Sequence, residues 1–218
     1  MRNSIARRLS ESSREVPHYF LTLDCELDKL LALRREVNDV GNEENRASLN
    51  DFFIRAAALA LKKVPAANAA WTDTAILRFR QADISVAVSL DGGLITPVVR
   101  NAEAKSLGQI SAEARALAAR AKAGKLLPEE YKGGTFTISN LGMFGIKSFT
   151  SIINPPQGAI LSVGAGEPRP VVKDGQLCVA TVMTVTLAAD HRCIDGAVGA
   201  EFLTAFKKLI EQPITLLF

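Results

Sequence analysis

Two segments of the chain carry residue types that can move protons and hold developing charge. The first is Leu187-Ala188-Ala189-Asp190-His191-Arg192-Cys193-Ile194-Asp195-Gly196. An apolar run of β type ends at a histidine, and four residues later an aspartate stands where a helix begins. A histidine on backbone held by a sheet suits general acid–base work, because its orientation is fixed before a substrate arrives. The same letters suit a structural histidine, and Asp195 suits a plain helix N-cap. The second segment is Gly133-Gly134-Thr135-Phe136-Thr137-Ile138-Ser139-Asn140-Leu141-Gly142-Met143-Phe144-Gly145. Here a strand pattern runs into a glycine-rich turn. Glycines let backbone pass close to a ligand, and the Ser139 hydroxyl can donate to oxyanion charge. A polar turn closing a strand reads the same way, so spacing leaves both segments open.

The elements that must hold these residues follow from periodicity. Helical spacing covers Ser4 to Glu15, and Pro17 stops it. Tyr19 to Cys25 reads as a strand. Leu27 to Val37 reads as a helix with Leu30, Leu31 and Leu33 inward and Lys29, Arg34 and Arg35 outward. Gly41 to Arg46 is a polar loop. Asp51 is the expected N-cap of an apolar, buried helix through Ala57 to Lys63, ended by Pro65. Strands are expected at Ala75 to Phe79, Ile84 to Ser89 and Leu94 to Val99, the last two joined by Asp91-Gly92-Gly93. Ser106 to Ala123 is an amphipathic helix closed by Gly124. Strands follow at Thr135 to Ser139, Gly158 to Val163, Val171 to Lys173, Leu177 to Val179 and Ala180 to Ala189, with a hairpin turn at Asp174-Gly175. Ala197 to Ile210 is the final helix, and Leu216 to Phe218 form an apolar tail. Strands and helices mix without a strict βαβ rhythm, which predicts a one-domain α/β mixed-sheet sandwich.

Composition narrows the classes. The 218 residues are 48% hydrophobic and 22% charged, with a net charge of +3 and both signs interspersed. Without a basic tract, nucleic acid is a poor partner. Three scattered cysteines and two histidines suggest neither a disulfide framework nor a metal site. The apolar run at Val182 to Ala189 is far too short to span a membrane. His18, just after Pro17, reads as structural.

Taken together, the motifs resemble one family. Asp190-His191-Arg192-Cys193-Ile194-Asp195-Gly196 is similar to the D-H-R-x-x-D-G motif of the dihydrolipoyl acyltransferase catalytic domain, itself related to the H-x-x-x-D of chloramphenicol acetyltransferase. Gly134 to Gly145 resembles the family's T-x-S-N-L-G turn. The stretches Ser148 to Leu161, Arg2 to Pro17 and Val64 to Ala69 match as well, in order, over essentially the whole chain. The opening residues through Asn38 are most similar to family members that serve pyruvate dehydrogenase complexes, which implies an acetyl group.

The resemblance implies a fold like that of chloramphenicol acetyltransferase, a two-layer sandwich. It implies acyl transfer between dihydrolipoamide and coenzyme A, with His191 as general base and Ser139 as oxyanion donor. A thiol near ~8.5 and an imidazole near ~6.5 set that proton transfer uphill by roughly 2.7 kcal/mol, within reach of a catalysed barrier. Asp195 is expected to cap the last helix and to pair with Arg7 or Arg8. Asp195→Asn should then harm stability or site geometry more than proton chemistry. Arg34 or Arg35 is expected at the coenzyme A 3′-phosphate, which suits a bidentate arginine. No metal is implied.

The implied assembly is a homotrimer whose site lies between subunits, built up into a cubic or icosahedral core, with the Leu216 to Phe218 tail as a contact between trimers. Residues 1–218 are expected to be the core domain, without the lipoyl and peripheral-subunit-binding domains of full-length members. The lipoyl group would come from a separate lipoyl domain, and the dehydrogenase and dihydrolipoamide dehydrogenase components would be partners of the full-length protein. The expected compartment is the bacterial cytoplasm or the mitochondrial matrix. Two other readings stand beside this one. A small-molecule acetyltransferase of the chloramphenicol type usually has a second histidine where Asp190 stands. A non-catalytic core scaffold tends to lack the histidine or the serine, and both are here.

Overall fold

A computed structural model describes residues 2–40, 46–90 and 92–218. The expected loop at Gly41 to Arg46, apart from Arg46, and Asp91 of the first hairpin signal lie outside the described residues. In chain order the elements are α1 (Arg2–Glu15), β1 (His18–Glu26), α2 (Asp28–Val40), α3 (Leu49–Lys63), β2 (Ala69–Trp71), β3 (Ile76–Arg78), β4 (Ile84–Val86), β5 (Val88–Leu90), β6 (Gly93–Ile95), β7 (Val98–Val99), α4 (Leu107–Lys122), α5 (Pro128–Tyr131), β8 (Phe136–Asn140), β9 (Ala159–Lys173), β10 (Gln176–Asp190) and α6 (Gly196–Glu211).

Six strands form one mixed sheet in the order β1-β10-β9-β8-β4-β7. The pairs β8/β9 and β4/β8 are parallel and the others antiparallel. The mixed α/β sandwich expected from the sequence is therefore the observed one. Helices α3 and α6 pack on each other, and α6 lies along β1. Phe52, Phe53, Ile54 and Leu61 of α3 and Phe202, Phe206 and Ile210 of α6 are buried against sheet residues Phe136, Ile138, Leu161, Val185 and Leu187. The Phe136 and Phe202 rings lie 5.1 Å apart. Truncating one such phenylalanine to alanine costs on the order of 3–5 kcal/mol.

The opposite sheet face is polar but satisfied. Thr22 and Thr186 hydrogen-bond at 3.0 Å, and Ser162 bonds Ser151 at 2.7 Å. Thr137 donates to Gln157, which donates to Ser85 at 3.0 Å. Ile153 packs on Ile160 and Ala188 there, beside Val16. His18 anchors this cover. Its Nε2 accepts from the Ile153 N–H at 3.0 Å, so Nδ1 carries the proton and donates to the Val16 carbonyl at 2.8 Å.

Several boundaries differ from expectation, each for a local reason. Helix α3 is capped by Ser48, not Asp51. Asp51 is at N3, where its Oδ2 accepts from the Ser48 N–H at 2.7 Å while Ser48 Oγ accepts from the Asp51 N–H at 3.3 Å, a reciprocal box. Ile84 to Ser89 and Leu94 to Val99 each break in two, because β4 and β7 stay in the main sheet while β5 and β6 leave it as a separate ribbon. The two strand pairs expected in the last third are instead two unbroken strands, β9 and β10. Asp174 (φ 51) and Gly175 (φ 77) turn one into the other. Pro168 and Pro170 are tolerated within β9 because β8 pairs with it only as far as Val163, leaving an edge beyond. In the tail, Leu216 is buried in its own core, whereas Phe218 is 87% exposed.

Candidate active site

The end of β10 is held by backbone on both sides. The Asp190 N–H donates to the Gly158 carbonyl at 2.9 Å, and the Asp190 carbonyl accepts from Cys193 and Ile194 at 3.1 and 3.0 Å. The His191 N–H donates to the Pro17 carbonyl at 3.1 Å. The buried Asp190 carboxylate takes the Arg192 guanidinium, Nε to Oδ1 at 3.0 Å and Nη2 to Oδ2 at 2.8 Å. Asp195 then caps α6, its Oδ1 accepting from the Val198 N–H at 2.9 Å. The cap role expected of Asp195 is thus observed.

His191 projects from this turn into solvent. Neither ring nitrogen makes a hydrogen bond among the described residues, so both are open to a substrate or a neighbouring chain. The Tyr19 ring lies 4.5 Å from the imidazole, tilted by 49°. The Tyr19 hydroxyl donates to the Asp195 carbonyl at 2.6 Å. Burial first, then the charges of Asp195 and Cys193, push that phenol up to about 12. Burial beside Asp190 likewise raises the Cys193 thiol to about 11, which keeps it an unreactive thiol at neutral pH.

The expected pairing of Asp195 with Arg7 or Arg8 is not seen. Among the described residues Asp195 makes no ion pair, and Arg8 donates to the Pro155 carbonyl at 2.8 Å. The reason is where α1 docks: Ser12 Oγ also donates to the Ile153 carbonyl at 2.7 Å, which ties that helix to the cover over the polar face.

Ser139 lies elsewhere. It is half-buried on β8 at the wall of a cleft of about 510 Å³. Asn140 Oδ1 accepts from the Gly142 N–H at 2.7 Å and fixes the turn. A Cβ on Gly142 would sit 2.8 Å from the Gly164 carbonyl oxygen, so glycine is required by the close approach of β9. Met143 and Phe144 follow, both strongly exposed at the cleft mouth. Ile54, Val86, Val88 and Leu94 supply apolar lining, and Arg46, Arg115 and Lys122 supply cations.

One chain does not bring Ser139 and His191 together. Ser139 pairs with Ser162, Ser162 pairs with Thr186, and His191 lies five residues beyond Thr186. Two strand spacings and five residues of rise separate them by roughly 19 Å. Arg34 and Arg35 do not line the cleft. Arg34, expected outward, is half-buried and donates through Nε to the Ala47 carbonyl at 3.0 Å, while Arg35 is exposed. Sequence reasoning missed Tyr19, Arg46, Arg115 and Lys122, which no local motif marks. No group of three or more His, Cys, Asp or Glu side chains able to hold a metal occurs among the described residues.

Comparison with known proteins gives these features a context. The sequence profile of the 2-oxoacid dehydrogenases acyltransferase (catalytic domain) matches residues 1–218. The chain belongs to this acyltransferase family. The dihydrolipoyllysine-residue acetyltransferase component of the pyruvate dehydrogenase complex from Rhizobium meliloti is 53% identical over 222 residues, covering 100% of this chain and 50% of that protein. The mitochondrial counterpart from Dictyostelium discoideum is 50% identical over 220 residues, covering 100% of this chain and 34% of that protein. The chain therefore spans about half the length, or less, of the curated relatives it matches. Among solved structures, the Azotobacter vinelandii dihydrolipoamide acetyltransferase superposes with a TM-score of 0.94 at 32% identity, covering 100% of this chain and 90% of that one. That structure accompanied work on the role of a serine, a histidine and an asparagine in its catalytic mechanism. A chloramphenicol acetyltransferase shares the fold, with a TM-score of 0.58 at 16% identity. For this acyltransferase, no helix among the described residues is long and apolar enough to cross a membrane.

Proposed function

We propose that this chain is the catalytic core of a dihydrolipoyllysine-residue acetyltransferase of a pyruvate dehydrogenase complex. It moves an acetyl group between S-acetyl-dihydrolipoamide and coenzyme A, with His191 and Ser139 contributed to each site by neighbouring subunits of a trimer. The observation that carries this is a matched spacing. In the Azotobacter vinelandii enzyme the named histidine follows the named serine by 52 positions, and the asparagine follows by four. Ser139, His191 and Asp195 stand at the same intervals.

The chemistry follows from the geometry. Neutral His191, with neither ring nitrogen hydrogen-bonded among the described residues, takes the proton of the coenzyme A thiol. The thiolate attacks the thioester carbonyl, and the resulting oxyanion receives a hydrogen bond from Ser139. Collapse expels the dihydrolipoyl thiolate, which regains the proton from His191. The step runs equally in reverse. Asp195, where the relative has asparagine, acts as a helix cap that fixes the turn, a task either side chain performs. The separation of roughly 19 Å within one chain supports a site that a second copy completes. The cations at the cleft, Arg46, Arg115 and Lys122, suit the phosphates of coenzyme A. Exposed Arg35 is proposed for its 3′-phosphate, and Arg34 steadies the segment bearing Arg46.

The dihydrolipoyl group arrives on a separate lipoyl domain. The trimers build the kind of multimeric core known for a related complex, whose cubic core structure superposes with a TM-score of 0.94. With bacterial and mitochondrial relatives alike, we assign the chain to the bacterial cytoplasm or the mitochondrial matrix.

The test is acetyl transfer from acetyl-CoA to dihydrolipoamide, with chloramphenicol as the competing acceptor. His191→Ala is expected to lose about 10²–10⁴ in kcat. Refolding His191→Ala and Ser139→Ala chains together restores activity at about a quarter of the sites, because random pairing leaves that share intact. Full activity in His191→Ala, or no recovery in the mixture, overturns the reading.

A further inference from the structure

We propose that Trp71 is a positioning residue for the chemistry at His191: with Asp190 it clamps the Arg192 side chain, and this clamp sets the turn from which the imidazole projects. The proposal rests on the reading of His191 as the base.

The imidazole makes no hydrogen bond of its own among the described residues. Its direction is inherited from the backbone on either side and from the Tyr19 ring. Asp190 and Arg192 are those two neighbours, and they are locked together. The carboxylate side chain is 5% exposed and takes two guanidinium nitrogens at 3.0 and 2.8 Å. It also accepts from the Arg192 N–H at 3.0 Å, so the tie includes main chain. The guanidinium also lies over the Trp71 ring, with the Arg192 Cζ 5.4 Å from the ring centroid.

The hairpin β2/β3 that carries Trp71 is itself fastened to this place. The Gly158 N–H donates to the Ala69 carbonyl at 2.9 Å, and the Gly158 carbonyl accepts from the Asp190 N–H at 2.9 Å. A Cβ on Gly158 would lie 2.4 Å from the Ala69 oxygen and 3.0 Å from Cys193 Sγ, so hairpin, linker and motif turn are in close contact. Asp73, in the turn of the same hairpin, adds negative charge near Arg192. The guanidinium is held charged above its ordinary range, first by the Asp190 hydrogen bond, with Asp190, Cys193 and Asp73 contributing. One hairpin thus supplies both the ring and a second carboxylate to the arginine adjacent to His191. A merely structural packing role would move stability; a positioning role moves the chemical step.

Trp71 is the single tryptophan in the chain, so tryptophan emission reports on the surroundings of this ring. The experiment measures acetyl transfer to dihydrolipoamide and tryptophan emission on the purified, folded protein. Trp71→Leu is expected to lower kcat about tenfold or more, with KM for acetyl-CoA and dihydrolipoamide within roughly twofold. Trp71→Phe, which keeps a π face, recovers most of that loss. Arg192→Lys, which keeps the charge but not the fork, lowers kcat in the same way and shifts the Trp71 emission. Should Trp71→Leu fail to fold, Arg192→Lys carries the test by its kcat and its emission shift together. Wild-type kcat in folded Trp71→Leu or Arg192→Lys overturns the clamp. His191→Ala, measured alongside, separates the two ideas: full activity there sinks the base assignment, whereas its loss beside an active Trp71→Leu sinks the clamp alone.

Discussion

The histidine end of β10 and the serine cleft beside β8 are finished to different degrees. Around His191 a single chain supplies the backbone bonds, the Asp190–Arg192 pair, the Tyr19 ring and the Asp195 cap. Around Ser139 it supplies a well-made turn, but the turn leads to exposed Met143 and Phe144 and an open cleft. The first region is a pre-oriented reagent. The second is one wall of a container. Under the proposed function, the difference is that a single chain orients the proton acceptor locally, while enclosing a long thiol substrate takes surface from a second copy.

Substitutions can break or sharpen that contrast. After the loss expected of His191→Ala, the largest effect is at the cleft: Ser139→Ala should reduce kcat about 10²–10³-fold with an unchanged thermal midpoint, since a half-buried hydroxyl bordering a cleft contributes little to folding. Steady-state kinetics and calorimetry on one preparation check this, and a large midpoint shift would instead make Ser139 structural. Next comes Gly142→Ala. A methyl 2.8 Å from the Gly164 oxygen forces β8 and β9 apart, costing about 1–3 kcal/mol, read by urea denaturation. No loss would show that the turn is looser than described.

The residues that support the histidine have smaller effects. Asp195→Ala removes the cap bond to Val198 and should cost about 1 kcal/mol, whereas Asp195→Asn keeps an acceptor and should cost only a few tenths. This narrows the sequence-based expectation, which foresaw harm from the asparagine itself. Equal losses in the two variants would mean that the charge matters more than the cap. Of the same size as Asp195→Ala is Tyr19→Phe, which loses the bond to the Asp195 carbonyl, about 1 kcal/mol. Because the folded phenol titrates at about 12 rather than 10.0, its contribution is fully present below pH 10 and is lost as pH rises through about 12. The variant should therefore unfold with a shallower pH dependence in that window, and an unchanged slope would place Tyr19 in water.

Much of this arrangement was legible in the letters. The run Asp190 to Gly196 announced a strand end and a helix cap, and both are present. Ser106 and Gly124 bracket α4 as their chemistry demands. The misreadings share a cause. The sequence-based strands at Gly158 to Val163 and Val171 to Lys173 are one strand, β9, and the Pro168 and Pro170 between them are tolerated because β8 ends its pairing at Val163 and no neighbour there needs their N–H. Ser48 and Asp51 are both good caps, and only the backbone shows which comes first. Trp71 over Arg192 and the cations at the cleft escaped because they are contacts between distant segments, and no periodicity encodes them. That Ser139 and His191 lie so far apart in one chain is decided by the sheet register, which no motif encodes.

The prolines of β9 have one more consequence. In an antiparallel pair a proline preserves the ladder only where its nitrogen faces away from the partner strand. Pro168 and Pro170 sit opposite Thr181 and Val179, so the outer rim of this arm lacks two of the donors that a stray strand would need. Val172, Leu177 and Val179 are each more than 70% exposed on the same arm. A rim that cannot be zipped up lets the arm display that greasy surface at high protein concentration without seeding a runaway sheet.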